Sequence, residues 1–317
     1  MEILWILIGV AAFLAAAVLL IAYICFRMAF YVPKNRPVET EEYPIPDGEV
    51  YEPYREQMTN WIREVRSLPH EDMDITSFDG LTLRGRYYKY APGAPIELML
   101  HGYRGNSERD MCGGVQRCFA LKRNALIVDQ RGCGRSEGTV ISFGINERKD
   151  CLAWTDHLIR RFGPDVKIIL TGISMGAATV MMASGSDLPE NVIGVLADCG
   201  YSRAKEIIKI VIRQMKLPAE LSYPFVKLGA KLYGHFDLEE TSPIEAVRNA
   251  KVPIIFYHGE ADDFVPCSMS QECFDACASR KAIVTISGAG HGLSYPKDPE
   301  TYLQTLFDFF GPDASAY

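Results

Sequence analysis

Residues 167–184 read KIILTGISMGAATVMMAS, and the reading of this stretch decides the fold. The apolar run Ile168, Ile169, Leu170 suits a buried strand, Gly172-Ile173-Ser174-Met175-Gly176 makes a G-x-S-x-G turn, and a small-residue helical pattern follows. Strand, G-x-S-x-G and helix in that order are the context of a nucleophile elbow, a sharp turn that lifts a serine into a cleft. Gly172 and Gly176 have a steric reason to lack side chains, because strand and helix approach closely there. Ser174 is thus a candidate nucleophile, with the Met175 N–H aimed at any oxyanion forming beside it. A glycine-rich turn with a capping serine fits the same letters, so residues elsewhere have to decide.

A serine hydroxyl is almost entirely protonated at neutral pH and needs a base. Among six histidines, His291 stands in the glycine-rich loop SGAGHG (287–292), just after the last apolar strand pattern. An acid that orients the imidazole and stabilises its charged form is offered by YHGEADDFVP (257–266), at the end of the preceding strand. Asp262 and Asp263 compete for that role, only one of them able to face the cleft. Asp198, after the strand at 192–197, is a third candidate. Ser, Asp, His is the chain order of the α/β-hydrolase arrangement.

Working outward, the hairpin pattern at 74–78 and 81–90 turns at Asp79-Gly80. Apolar strand patterns follow at 96–100, 125–128, 168–170, 192–197, 252–258 and 282–286. Helical patterns separate them, among them 145–162 and a final one at 302–310 with Leu303, Leu306, Phe307 and Phe310 on one face. Ser107 is a candidate cap for a helix after the strand at 96–100. Short buried strands alternating with amphipathic helices describe an α/β fold, a mostly parallel sheet covered on both faces.

Thirty-three basic against 40 acidic residues give a net charge of −7, which argues against nucleic acid as a partner, since phosphate binding needs a basic surface. Nine cysteines without a C-x-x-C pair fit neither a zinc site nor a disulfide framework; reduced, mostly buried thiols are the simpler account.

Residues 3–26 hold no charge and are almost wholly apolar. As a helix they rise about 36 Å, enough to cross a bilayer core of ~30 Å with some tilt. Glu2 is the only charged side chain before them, so the basic start of a signal peptide is missing. The reading is a transmembrane anchor at 1–27. Arg27, Lys34 and Arg36 follow it, which puts the C-terminal body in the cytoplasm by the positive-inside rule. Residues 28–53, with Pro33, Pro37, Pro44, Pro46 and Pro53, read as a proline-rich linker. A short helix around 54–65 then opens a domain running to 317.

Five motifs now coincide in order: His101-Gly102, Asp129-x-Arg131-Gly-x-Gly-x-Ser136, Gly172-x-Ser174-x-Gly176, His258-Gly-x-x-Asp262-x-x-Val265-Pro266, and Gly290-His291. From about residue 74 to 310 the chain resembles an α/β-hydrolase of the Bem46-like and serine-aminopeptidase-like (monoglyceride-lipase-like) group. That resemblance implies an eight-stranded, mostly parallel sheet and a small helical lid at 199–250. It assigns the acid to Asp262 and the oxyanion hole to the N–H groups of Tyr103 and Met175. It gives His101, Asp129 and Arg131 bracing roles and implies no metal or organic cofactor. Arg104 and Asn106 are candidates for the pocket entrance, and His258 for strand-end packing.

The lid segment carries Ala204, Ile207, Ile208, Val211 and Met215 at helical spacing, then an apolar stretch at 219–233 suited to roofing an acyl pocket or packing on the main domain. The expected activity is hydrolysis of a small-molecule or lipid-like carboxylic ester through an acyl-enzyme at the membrane. A peptidase or amidase, with Glu239 and Glu240 holding a substrate ammonium, is the second reading. The third is a tethered, non-catalytic binding module on the same fold. Acyl length, physiological role and oligomeric state are not written in these residues.

Overall fold

The computed structural model describes residues 1–34 and 42–311. Arg36 and Pro37, invoked above for orientation and for the linker, lie outside the described residues, as does 312–317 at the end of the expected domain. The chain opens with α1 (Glu2–Ala29), passes a 3-10 turn at Glu49–Tyr54 and α2 (Arg55–Ser67), and enters the hairpin β1 (Glu71–Thr76) and β2 (Thr82–Tyr88). Next come β3 (Ile96–Leu100), α3 (Ser107–Asp110), α4 (Gly114–Ala120) and β4 (Asn124–Asp129). α5 (Glu147–Phe162), β5 (Ile168–Ile173), α6 (Met175–Ser184) and β6 (Val192–Asp198) follow. α7 (Ala204–Gln214), α8 (Ala219–Tyr233) and α9 (Pro243–Val247) lead to β7 (Ile254–Gly259). The rest is α10 (Cys267–Ala276), β8 (Lys281–Ile286), α11 (Ser294–Lys297) and α12 (Pro299–Phe310).

The strands form the expected eight-stranded sheet in the order β1-β2-β4-β3-β5-β6-β7-β8. β1, β2 and β4 pair antiparallel, and every neighbour from β4 to β8 is parallel. Both faces are buried, as a parallel sheet requires: Leu98 packs with α5 and α6 on one side, Met99 with α2 and α4 on the other. Strand order reverses between β3 and β5, which opens a crevice at their carboxyl ends where open α/β sheets bind ligands.

β3 holds a charge the apolar reading passed over. Glu97 is fully buried, bonded to Arg117 and Arg123 at 2.6 Å each and to the Thr171 hydroxyl at 3.1 Å. Burial opposes its ionisation, but the two guanidiniums outweigh it and hold the carboxyl down at about 2.

α1 is long and apolar enough to cross a membrane, and its first turns stand clear of the domain. Its end does not dissolve into a tether. Phe30 is fully buried between Phe143 and Phe236, Tyr31 bridges Val140, and the Val32 N–H donates to the Thr139 carbonyl at 2.8 Å. Of the expected linker prolines, Pro53 sits in the last turn of the 3-10 element, two residues before α2 begins.

Candidate active site

Ser174 occupies the turn between β5 and α6 with φ 55° and ψ −117°, a conformation that costs a side-chain-bearing residue free energy. The surroundings enforce it. A Cβ on Gly172 would lie 2.2 Å from the Gly176 carbonyl carbon, and one on Gly176 would lie 2.0 Å from the Leu100 carbonyl oxygen. The Ser174 N–H donates to the Asp198 carbonyl at 2.8 Å, which ties the turn to the neighbouring strand.

The loop after β8 brings His291 over this turn, with Nε2 2.9 Å from Ser174 Oγ. Nδ1 lies 2.7 Å from Asp262 Oδ2. A carboxylate can only accept, so Nδ1 carries the proton and Nε2 is left to accept from the serine hydroxyl. Asp262 Oδ1 accepts from the N–H groups of Phe264 and Val265 at 3.0 and 2.8 Å. Burial works against the Asp262 charge, but hydrogen bonds from His258, His291 and the Val265 N–H overcome it and hold the carboxyl below the usual carboxylate range.

The other acids turn elsewhere. Asp263 is exposed. Asp198 accepts from the Ser294 hydroxyl at 2.8 Å and the Tyr302 hydroxyl at 3.0 Å, and burial pushes its carboxyl up.

His101 is buried and fully used: Nδ1–H donates to the Gly102 carbonyl at 2.7 Å, and Nε2 accepts from the Gln130 N–H at 3.0 Å. Because a trans peptide points its C=O and N–H in opposite directions, fixing the Gly102 carbonyl fixes the Tyr103 N–H. The Gly102 N–H is held in turn by Asp110 Oδ2 at 2.9 Å. This backbone borders the serine, since a Cβ on Gly102 would sit 3.4 Å from Ser174 Cβ. Met175 is the first residue of α6, where N–H groups lack intrahelical acceptors and the helix dipole favours negative charge.

Asp129 accepts from the Ser107 and Arg135 N–H groups, and Arg131 pairs with Asp150 and Asp79, so both brace loops rather than face the serine. Asn106, not Ser107, caps α3, its side chain accepting from the Arg109 N–H. Arg104 reaches the Met28 and Tyr31 carbonyls at the end of α1 instead of the pocket.

A cavity of about 190 Å³ opens at the serine. Its walls come from Pro46, Tyr51 and Met58, from the loop carrying Tyr103 and Arg109, and from Phe264 and Tyr295. Among the described residues none from 199–250 lines it: the helices suited to roofing an acyl pocket bury their apolar faces against α1 and α6 instead. The segment read as linker supplies a wall in their place, where the Tyr51 hydroxyl donates to the His291 carbonyl at 3.0 Å. Local pattern gave no sign of Tyr51 or Arg109. His258 was legible only as packing, yet its Nε2 lies 3.2 Å from Asp262 Oδ2 while also meeting the Val265 carbonyl at 2.8 Å. The i, i+4 spacing of His258 and Asp262 was the available signal.

Cys199, Asp262 and His291 bring potential metal-ligand atoms within 4.8 Å of one another. Two of these groups are already bonded to each other, and burial keeps the Cys199 thiol protonated. The donor set therefore suits a hydrogen-bonded relay better than a cation.

The profile of the prolyl oligopeptidase family (Peptidase S9) matches residues 142–314, more than half of the sequence. The chain belongs to the prolyl oligopeptidase family. Kinship with Bem46-like α/β-hydrolases is borne out as well: protein bem46 of Schizosaccharomyces pombe is 24% identical over 191 residues, 59% of this chain and 58% of that protein. YqkD of Bacillus subtilis is 28% identical over 187 residues, 59% of this chain and 61% of YqkD. The match thus spans about three-fifths of each relative's length. Among solved structures the Pyrococcus furiosus esterase Pf2001 shares the fold, with a TM-score of 0.64 at 21% identity over 86% of this chain and 98% of that one. This member of the prolyl oligopeptidase family is an α/β-hydrolase, with the mostly parallel eight-stranded sheet flanked by helices and an apolar helix ahead of it.

Proposed function

We propose that the protein is a membrane-anchored serine hydrolase that cleaves carboxylic esters through an acyl-enzyme. Ser174 Oγ attacks the ester carbonyl as His291 Nε2 takes its proton, and Asp262 orients and stabilises the imidazolium. The Tyr103 and Met175 N–H groups receive the developing oxyanion. His291 returns the proton to the leaving alcohol; water, activated by the same imidazole, then releases the acid. The observation that carries this reading is the continuous chain Ser174 Oγ to His291 Nε2 to Asp262 at 2.9 and 2.7 Å.

The cavity of about 190 Å³ is smaller than the ~300–1,000 Å³ of sites that enclose drug-sized ligands, which favours short acyl groups. α1 supports tethering, and Arg27 and Lys34 on its C-terminal side support a cytoplasmic catalytic domain.

The family profile favours a second reading, a peptidase or amidase. Its expected recognition carboxylates are otherwise engaged, Glu239 with Tyr223 and Lys227, Glu240 with Arg148. Full-length protein in detergent, given p-nitrophenyl esters of graded chain length and aminoacyl amides in competition, separates the two. Preference for short esters, abolished in Ser174→Ala, supports the proposal; preference for amides, or turnover undiminished in that variant, removes it.

A further inference from the structure

The catalytic domain grips the final turns of α1 through α8. The two helices run antiparallel: the Tyr233 hydroxyl donates to the Leu19 carbonyl at 3.1 Å, and a Cβ on Gly229 would lie 2.4 Å from the Ala22 carbonyl oxygen. Tyr233 packs edge-on against Tyr23 with ring centroids 5.2 Å apart. Residues 2–18 of α1 stand clear of the domain, and from Leu19 onward the helix runs alongside α8.

Aromatic side chains mark the bounds of the apolar span. Trp and Tyr collect at the two membrane–water interfaces; Trp5 is exposed near the start of α1, and Tyr23 lies about 27 Å farther along the helix. A core bounded by these two residues reaches the level of Tyr233. The last turn of α8 at that level is amphipathic and open: Leu232 is 41% exposed, and Lys231 is exposed beside it. One turn past Tyr23, Arg27 stacks on Tyr31 at 4.0 Å, the first cation below the apolar span. The acid Glu239 is held farther down α8 by Tyr223 and Lys227.

We infer that the last turn of α8 is part of the membrane-contacting surface, its partner the interface of the same bilayer that α1 crosses. Leu232 enters the acyl–headgroup boundary while the Lys231 stem lies along it and its ammonium reaches lipid phosphate. Two packed helices then seat the domain in one orientation, where a single helix and a flexible linker would leave it free to swing. The inference rests on reading α1 as an anchor.

The test places the photo-crosslinker p-benzoylphenylalanine in the full chain, reconstituted in phosphatidylcholine–phosphatidylglycerol liposomes, at one of positions 13, 232 and 221. Phe13 lies in the free part of α1, and Leu221 is more exposed than Leu232 but about 17 Å back along α8. Lipid adducts at 13 and 232, with loss of them at 221, are expected; position 231 gives a second reading of the same turn. Adducts at 13 but not at 231 or 232, or equal yields at 221 and 232, overturn the inference and leave the anchor standing. No adduct at 13 removes the anchor and the inference with it.

Discussion

The Tyr103 hydroxyl donates a 2.7 Å hydrogen bond to the carbonyl oxygen of Ala29. One residue thus joins two parts that the sequence presents as separate, the loop beside the serine and the last turn of the apolar helix. Arg104 repeats the link at Met28 and Tyr31, and the Tyr103 ring packs on Phe143, which also touches Phe30. The end of α1 offers carbonyls without intrahelical donors, and the loop supplies those donors. The backbone N–H proposed to receive the oxyanion is therefore buttressed by the end of α1.

Tyr103→Phe keeps the ring and deletes this bond. One net hydrogen bond is worth ~0.5–1.5 kcal/mol, so kcat for p-nitrophenyl butyrate is expected to fall about two- to tenfold with KM little changed. A change confined to KM would place the side chain in substrate binding instead.

Separate Asn substitutions at the three aspartates rank the acids. Asp262→Asn is expected to lower kcat by roughly 1,000- to 10,000-fold, through loss of the tautomer that leaves Nε2 free. Asp263→Asn, at an exposed side chain, is expected to stay near wild type. Asp198→Asn disturbs the Ser294 and Tyr302 hydrogen bonds and is expected to lower Tm more than kcat. A steady-state assay and a melting curve on each variant check the ranking.

The same carboxyl gives a pH-dependent stability. Its folded pKa is depressed below the unfolded value of about 3.9, so its contribution is complete above that value and is lost as pH falls further toward the folded pKa. Unfolding free energies of wild type and Asp262→Asn, compared below about pH 5 to keep clear of the range where imidazoles titrate, report this loss. Below about pH 4 the difference should shrink. A gap that widens on acidification would mean that the folded carboxyl is raised, not lowered.

Much of this molecule was legible from local pattern. The alternation of apolar runs and amphipathic helices yields the sheet because strand and helix periods are set within a few residues. Ser174, Asp262 and His291 each stand at the carboxyl end of a strand, where a parallel sheet gathers loops. What local pattern missed depends on distant partners. Glu97 lies inside the apolar run IELML, and its tolerance there is decided by Arg117 and Arg123. Tyr51 sits among prolines, yet binds the loop of His291, far along the chain. The apolar residues of 204–233 gave no direction, and packing turned them toward α1 and α6 rather than the cavity.

Glu97 gives a further test of the packing account. Glu97→Gln removes the buried carboxylate charge that Arg117 and Arg123 share, at a cost of about 3–5 kcal/mol. A fall in Tm of roughly 6–20 °C in detergent is expected. A shift within a degree of wild type would show that the arginines find other partners.

The central claim is that Ser174 is a nucleophile activated by His291. Fluorophosphonate labelling of the folded full-length protein, followed by peptide mapping, measures this without knowledge of the substrate. The account predicts a covalent adduct on Ser174, strongly diminished in His291→Gln. A folded wild-type protein that takes up no probe at Ser174, or one labelled equally fast in His291→Gln, would contradict it.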